Sequence, residues 1–471
     1  MNTIKFGTDG WRAIMAREFT FDNLRLVVQA VANYISETGK NGKLVIGYDQ
    51  RFLSDKFALE AAEVLAGNDI PVLLIDKPAP TPTTAYAIKK YGAIGALMIT
   101  ASHNPPEYNG IKFIPEYAGP ATPEITDSIE RHLNTLTLDM VRIKPIKTAD
   151  SEGLIEYISP LDDYLNHLYS LINWEYINKT PVKVVVDSMF GAGTGYLDNF
   201  LCDSHCHVNP IHGCRDPLFG GGMPEPMGSS LNELVHKVKE TGSILGLALD
   251  GDADRFGAID RDGTYFSPNQ ILALLLHHLI ENRGWLGPVA RTVATTHLLD
   301  RICEHYGQDI YETPVGFKYI GKILLEKDCI LGGEESGGLS IRGHIPEKDG
   351  ILACLLIIEM VAQSGKSLGE LMEDLYQKYG KLVSERLDIE VPAENMPGML
   401  AAVRDYSPAK INGQLVVEKL TVDGIKLKMA NGSWMLIRPS GTEPLFRLYA
   451  EAESEDELRK IQQFVREDLD F

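Results

Sequence analysis

Ile94-Gly95-Ala96-Leu97-Met98-Ile99 runs into Thr100-Ala101-Ser102-His103-Asn104-Pro105-Pro106-Glu107-Tyr108-Asn109-Gly110-Ile111-Lys112, and the reading of this stretch decides the fold. An unbroken apolar run of this length reads as a buried strand. Asn-Pro-Pro breaks it in a loop. Ser102 is thereby held at the mouth of a strand, with His103 beside it and Lys112 ten positions on. A hydroxyl is a weak nucleophile until a base, a charge or a metal activates it. Alone, the window is equally a polar turn. A second stretch, Asp250-Gly251-Asp252-Ala253-Asp254-Arg255, turns the reading toward chemistry.

Outward from Ser102, strands and helices alternate. Phe21 to Glu37 has the spacing of an amphipathic helix, and Leu44 to Asp49 is a short buried strand. Ala58 to Leu65 reads as a helix and Val72 to Ile75 as a strand. Such alternation predicts a largely parallel sheet covered on both faces. Ligands of such sheets sit at the carboxyl ends of strands, where Ser102 lies. The rhythm restarts after about residue 150, with the helix Leu161 to Ile172 and the strands Val182 to Asp187 and Ser243 to Leu249. A third unit from about Asp260 carries the helices Gln270 to Glu281 and Ile351 to Ala362. From about residue 380 the pattern changes to half-exposed strands, Leu387 to Val391 and Leu415 to Glu418, with a terminal helix over Glu455 to Leu469. The fold class expected is therefore α/β, with three α/β units and a smaller α+β unit.

The 471 residues hold 45 lysines and arginines against 65 aspartates and glutamates, a net charge of −20. So acidic a chain repels a polyphosphate backbone and an anionic bilayer, so neither nucleic acid nor membrane is an expected partner. A small anionic substrate is compatible if basic residues gather locally. Met1 to Gly7 lacks the apolar core of a signal peptide. Six cysteines in so long a chain are not a disulfide framework. A cytoplasmic enzyme with reduced thiols is the expectation.

Asp250, Asp252 and Asp254 recur at every second position beyond an apolar strand. Three converging carboxylates cannot all remain charged without a cation, and hard oxygen donors suit Mg²⁺. An EF-hand is excluded, because Arg255 and Arg261 stand where that loop needs Gly and Glu. Arg255 could orient the acids or hold a phosphate. Arg438-Pro439-Ser440-Gly441-Thr442, with Arg447, combines two guanidinium groups, two hydroxyls and an open backbone, which is a plausible phosphate cradle. Phe6 to Arg12 is a Gly-rich opening in which Arg12 could grip an anion. The adjacent carboxylates Glu334 and Glu335 suit recognition of sugar hydroxyls, or a solvated turn. Gly191 to Gly195 lacks the lysine of a P-loop and reads better as a tight strand-to-helix turn. Cys202, His205, Cys206, His207, His212 and Cys214 are too irregularly spaced for a zinc site.

Together these motifs resemble the α-D-phosphohexomutases, the phosphoglucomutase and phosphomannomutase superfamily. The resemblance spans the chain in order: Phe6 to Arg12, Thr100 to Pro105, Asp250 to Arg255, Gly333-Glu334-Glu335-Ser336 and Arg438 to Thr442. Arg215 to Gly221 is similar to a segment of the family's second domain. The resemblance implies three related α/β/α domains and a C-terminal α+β domain of TATA-binding-protein-like topology around a central cleft. Their expected bounds are 1–150, 151–258, 259–375 and 376–471. It implies an intramolecular phosphotransferase that carries Ser102 as phosphoserine, with Mg²⁺ held by a phosphate oxygen there and by Asp250, Asp252 and Asp254. Glucose 1,6-bisphosphate is the implied activator, and a hexose phosphate the substrate of a monomer or homodimer.

The same resemblance places Arg12, His103 and Lys112 in the catalytic set. Lys112 matches the family lysine, and His103 stays open as an alternative base. Arg255, Lys318, Glu334, Ser336, His344 and Lys348 fall at the substrate, while Arg438, Ser440, Gly441, Thr442 and Arg447 hold its distal phosphate. Gly333 to Ser336, Thr313 to Lys318 and His344 to Asp349 are similar to glucose-preferring members. Mannose or dual specificity is the runner-up, and glucosamine the more distant choice. A Mg²⁺-dependent sugar phosphatase is the alternative of a different class.

Overall fold

The computed structural model describes residues 4–5, 10–201, 204–392, 394–440 and 445–471. Aliphatic runs bounded by turns become strands throughout. β1 (Trp11–Ile14), β2 (Leu44–Tyr48), β3 (Val72–Ile75), β4 (Gly95–Ile99), β5 (Tyr108–Pro115) and β6 (Ile155–Ile158) make a first sheet in the order β1-β5-β4-β2-β3-β6. Strands β2, β3, β4 and β6 are parallel, as alternation with helices requires. β5 is not: it runs antiparallel to β4 with Met98 opposite Lys112, and antiparallel to β1 with Gly110 opposite Arg12. The helix Phe21–Thr38 begins where Thr20 accepts a hydrogen bond from the Asn23 amide and ends at left-handed Gly39. Its buried face, Leu24, Val27, Val28, Val31 and Ile35, meets Leu44, Ile46 and Leu97 of the sheet.

The second sheet repeats the plan. β7 (Lys183–Asp187), β8 (His207–Ile211), β9 (Leu245–Leu249), β10 (Phe256–Asp260) and β11 (Tyr265–Phe266) lie in the order β11-β10-β9-β7-β8. The strands β7, β8 and β9 are parallel, and β10 folds back antiparallel on β9. In both sheets a central strand therefore ends in a turn and returns beside itself. Those two turns carry Ser102 and the aspartates.

In the third segment β12 (Val289–Thr292) lies between β13 (Ile310–Thr313) and β14 (Leu331–Gly333), all parallel, and β15 (Leu339–Ile341) follows. The fourth segment is antiparallel: β16 (Val383–Glu390), β17 (Lys410–Ile411), β18 (Gln414–Leu420), β19 (Ile425–Met429), β20 (Trp434–Pro439) and β21 (Leu445–Ala452), in the order β16-β21-β20-β19-β18-β17. Helices Met396–Asp405 and Glu455–Asp468 pack on this sheet. The alternation expected near residues 387 and 415 is present in β16 and β18.

The chain gathers into two compact units. One comprises Met1–Ser267, Leu324–Glu326 and Ser336–Leu368; the other comprises Pro268–Ile323, Lys327–Glu335 and Gly369–Phe471. The apolar helix Gly350–Ser364 belongs to the first unit and packs against β9 and β10. Its buried Glu359 accepts a hydrogen bond from the Asn173 amide at the start of helix Trp174–Lys179. No single helix among the described residues is long and apolar enough to cross a membrane.

Candidate active site

The strand β4 delivers Ser102 into a fully buried position with a left-handed backbone, φ 51°. Left-handed serine is unfavourable, so the neighbouring structure must impose it. Its amide donates to the Thr100 hydroxyl at 2.8 Å. Its hydroxyl donates to Asp250 Oδ2 at 2.9 Å and lies 3.3 Å from His103 Nδ1. Serine and aspartate are 148 positions apart, and the two sheet turns bring them together.

The aspartate turn is equally constrained. Ala253 is left-handed at φ 57°. Gly251 packs so close to the serine loop that a Cβ there would stand 2.4 Å from the Ser102 carbonyl oxygen. Only glycine permits that approach. The glycine run after β7 docks on the same turn, with the Ala192 amide donating to the Gly251 carbonyl at 2.9 Å. It packs there as a turn, and the helix that follows, Leu197–Leu201, starts beyond it.

All three carboxylates are fully buried, and one oxygen of each lies within 4.8 Å of one oxygen of the others. Lys112 Nζ donates to Asp252 Oδ2 at 2.8 Å and Asp254 Oδ2 at 3.1 Å. Lys348 Nζ approaches Asp254 Oδ2 at 2.8 Å, and the Thr81 hydroxyl donates to Asp252 Oδ2 at 2.6 Å. The opposite oxygens, Oδ1 of Asp252 and of Asp254, are buried and accept no hydrogen bond. Burial, then the charges of Asp252 and Asp254, pushes the Asp250 carboxyl well above the usual range. Burial acts on Asp252 in the same sense, but Lys112, Thr81 and Lys348 outweigh it and hold that carboxyl low. Hard oxygens, two of them orphaned, in a set that resists full ionisation fit a small divalent cation such as Mg²⁺.

The flanking residues have definite partners. The Arg12 guanidinium donates to Asn104 Oδ1 at 3.0 Å. Burial, with Arg255 and Arg12 nearby, pulls the His103 imidazole well below its ordinary pKa. The Arg255 amide donates to Asp250 Oδ1 at 3.0 Å, and its guanidinium lies 3.8 Å from Asp254 and 4.0 Å from Glu225. His344, expected at the substrate, spends both ring nitrogens on the protein. One meets His167 Nε2 at 3.0 Å and the other Asp349 Oδ2 at 2.9 Å, and its side chain is buried. Asp349 also takes the Tyr164 hydroxyl at 2.7 Å and caps helix Gly350–Ser364, which fixes the segment carrying Lys348.

Sequence reading missed one residue that the structure makes prominent. Arg51 is fully buried and donates to four carbonyls of the serine loop: Ser102 at 2.6 Å, Asn104 at 2.6 Å, Pro105 at 2.8 Å and Tyr108 at 3.1 Å. Asp49 pairs with it at 3.3 Å. The available signal was a charged Asp49-Gln50-Arg51 triplet directly after a buried strand.

In the second compact unit Arg438 on β20 and Arg447 on β21 are register partners. Like charges placed directly opposite repel unless an anion lies between them. Arg438 Nε is 3.1 Å from Asp423, and Arg447 Nε is 4.0 Å from Asp388. The Ser440 amide closes the connection by donating to the Leu445 carbonyl at 2.8 Å. Gly441 and Thr442 lie outside the described residues, as do Phe6 to Asp9. Glu334 is buried after β14, and Glu335 accepts from the Thr292 hydroxyl at 2.7 Å. Lys318 lies on helix Phe317–Lys327 over the Tyr319 ring, and Ser336 lies in the first unit.

Fold and site together define a class: α/β/α domains that set a serine against an aspartate turn, followed by an antiparallel C-terminal domain. Comparison with known families agrees. Residues 3–140, 162–263 and 267–379 match phosphoglucomutase/phosphomannomutase alpha/beta/alpha domains I, II and III, and residues 389–468 match the C-terminal domain. The chain belongs to the phosphoglucomutase/phosphomannomutase family of the α-D-phosphohexomutase superfamily, and is an isomerase of that phosphotransferase type. It is 31% identical over 458 residues to a phosphoglucomutase/phosphomannomutase of Thermococcus kodakarensis, covering 97% of this chain and 96% of that one. It is 32% identical over 464 residues to a phosphoglucosamine mutase of Acetivibrio thermocellus, covering 97% and 96%. A crystal structure from Thermus thermophilus, named as a candidate phosphomannomutase, superposes with a TM-score of 0.86 at 33% identity, covering 100% of this chain and 99% of that one.

Proposed function

We propose that this protein is a phosphoglucomutase, interconverting glucose 1-phosphate and glucose 6-phosphate through a phosphoserine at Ser102 and a glucose 1,6-bisphosphate intermediate. The observation that carries the phosphoserine reading is the buried Ser102 hydroxyl, 2.9 Å from Asp250 and surrounded by carboxylates with unused oxygens. Asp250, Asp252 and Asp254, with an oxygen on Ser102, would hold Mg²⁺. When bound, the cation withdraws charge from the transferring phosphoryl group.

In the first half-reaction the phosphorus–Oγ bond of phosphoserine 102 breaks. A bond forms to the free hydroxyl of the hexose monophosphate, whose proton passes to a base. In the second, the Ser102 hydroxyl loses its proton and takes the other phosphoryl group of the bisphosphate, after the sugar has exchanged its ends. Lys112 and His103 are the candidate bases. Lys112 is favoured for its match to the family lysine, and its amine lies 2.8 and 3.1 Å from Asp252 and Asp254. Arg12 steadies the serine loop through Asn104. Arg438, Ser440, Gly441, Thr442 and Arg447 grip the phosphate that is not reacting, and the facing arginines support that role. Glu334, Ser336, Lys318, Lys348 and Arg255 are the proposed substrate contacts. His344 is better read as holding Asp349 than as touching the sugar.

Glucose is favoured by the Gly333-Glu334-Glu335-Ser336 loop, with mannose or dual specificity second. The test is a coupled assay with glucose 1-phosphate, mannose 1-phosphate and glucosamine 1-phosphate side by side, with and without trace glucose 1,6-bisphosphate. Glucose 1-phosphate should turn over fastest, with bisphosphate stimulation. A higher kcat/KM for mannose or glucosamine would overturn the sugar assignment. Free phosphate released in step with substrate loss would favour the phosphatase instead.

A further inference from the structure

Arg51 lies in the loop past β2 and Phe219 in a short 3₁₀ turn after β8, and the two meet beside the serine loop. Four carbonyls from Ser102 to Tyr108 converge on one guanidinium. A planar fork with five donors can span such a loop, whereas an ammonium with three cannot. The Phe219 ring covers that guanidinium, with Arg51 Cζ 4.8 Å from its centroid. Phe219 reaches this place through a tight turn. Its own backbone is left-handed at φ 50°, and Asp216 holds the turn by accepting from the Leu218 and Gly220 amides at 2.9 and 3.0 Å. A left-handed phenylalanine is costly, and such strain concentrates where position matters. Next to Arg51, Gln50 donates to the Gly191 carbonyl at 2.9 Å, on the glycine run that docks on the aspartate turn.

We propose that Arg51, lidded by Phe219, is the positioning residue that keeps Ser102 in its left-handed conformation and aimed at Asp250 through both phosphoryl transfers. It touches no substrate. It acts through the loop backbone, and Phe219 makes the grip depend on the second domain being in place. This rests on the phosphoserine reading above.

The test uses the full-length protein charged on Ser102 by brief exposure to glucose 1,6-bisphosphate. Readouts are kcat, KM, phosphoserine occupancy by intact mass, and the thermal midpoint. Arg51→Lys should lose about 100-fold in kcat, with KM changed far less, because the hydroxyl is displaced while the sugar sites are untouched. Arg51→Ala should regain turnover with added guanidinium but not with ammonium at equal ionic strength. Phe219→Leu, which keeps apolar volume but loses the ring face, should lose about 2- to 5-fold in kcat. Arg51→Lys with wild-type kcat and wild-type phosphoserine turnover would overturn the proposal, as would equal rescue of Arg51→Ala by both cations. If Arg51→Ala does not fold, Arg51→Lys and Phe219→Leu decide. Wild-type protein that never acquires phosphate on Ser102 would instead remove the phosphoserine reading itself.

Discussion

The molecule contains two clusters of buried charge at strand ends, one in each compact unit, and they differ in what they leave over. In the first unit Lys112 and Lys348 approach Asp252 and Asp254, yet one buried oxygen on each carboxylate stays unused. In the second, Arg291 forks onto both oxygens of Asp300 at 2.7 Å and also reaches Glu312. Glu312 takes Lys426 at 2.9 Å, and Lys426 stacks 4.4 Å over Trp434 while meeting the Val293 carbonyl at 2.7 Å. No buried atom of Arg291, Asp300, Glu312 or Lys426 is among those without a partner. Both clusters bury charge, the aspartates in one and Arg291 and Lys426 in the other, so charge alone does not mark a functional site. Single orphaned oxygens, as on Asp187 and Glu451, do not either; what sets the aspartate turn apart is two of them on carboxylates gathered within 4.8 Å, where a cation can recover the free energy they cost.

Four experiments can break or sharpen that contrast. The largest effect should follow Ser102→Ala, which empties the open site of its proposed nucleophile. Turnover should fall on the order of 10⁴-fold or more, about 5.5 kcal/mol on the barrier, with an unchanged fold by circular dichroism. Activity near wild type would show that the serine is not the phosphoryl carrier. In the closed cluster, Arg291→Met should cost about 3–5 kcal/mol of unfolding free energy, because two carboxylates lose their shared partner. Lys426→Met should cost much less, since Glu312 keeps Arg291; a larger loss for Lys426→Met in urea titrations would mean that the cluster has been apportioned wrongly.

Asp252→Asn comes next. It should lower turnover about 100- to 1,000-fold and abolish the rise in thermal midpoint that added Mg²⁺ gives the wild type. Its metal-free stability should fall by no more than about 1 kcal/mol, since Lys112 and Lys348 both keep Asp254 as a partner. A large metal-free loss would make the aspartates structural, like Arg291 and Glu312.

The smallest effect is a pH dependence. Burial, followed by the charge of Arg291, depresses the Lys426 pKa to about 8. Its unfolded value is near 10.4, so between about pH 8 and 10.4 the unfolded chain binds more protons and this group's contribution to stability rises with pH. From pH 7 to 9.5 the wild type should gain about 1–2 kcal/mol relative to Lys426→Met. Parallel pH profiles for the two proteins would refute the depressed lysine.

Local pattern made much of this legible. The apolar run before Ser102 became β4, and Val72 to Ile75 became β3. Spacing alone brought Asp250, Asp252 and Asp254 to one turn, because alternate residues past a strand stay close whatever the partner. The direction of β5 was not legible. Asn104-Pro105-Pro106 read as a loop in a largely parallel sheet, and nothing local showed that the chain returns as β5, with Ile111 to Pro115 antiparallel to β4. That reversal carries Lys112 back to the aspartates, 140 positions away in sequence. Arg51 was missed for the same reason: a single arginine has no period, and its four acceptors lie 51 to 57 positions on. His344 was expected at the substrate from resemblance alone; its contact with His167, 177 positions away, has no local signal.

The chain's own order of residues thus determined which stretches become strands, where the Ser102 hydroxyl sits, which acids share a turn and which family the chain resembles. The first three depend on neighbours within a few positions, and the last on the order of short motifs along the chain. Only the tertiary structure decided which buried charges are closed and which are open, which lysines reach the aspartates, and which arginine carries the serine loop. Those outcomes depend on hydrogen bonds between residues tens to hundreds of positions apart, whose partners no local spacing can name.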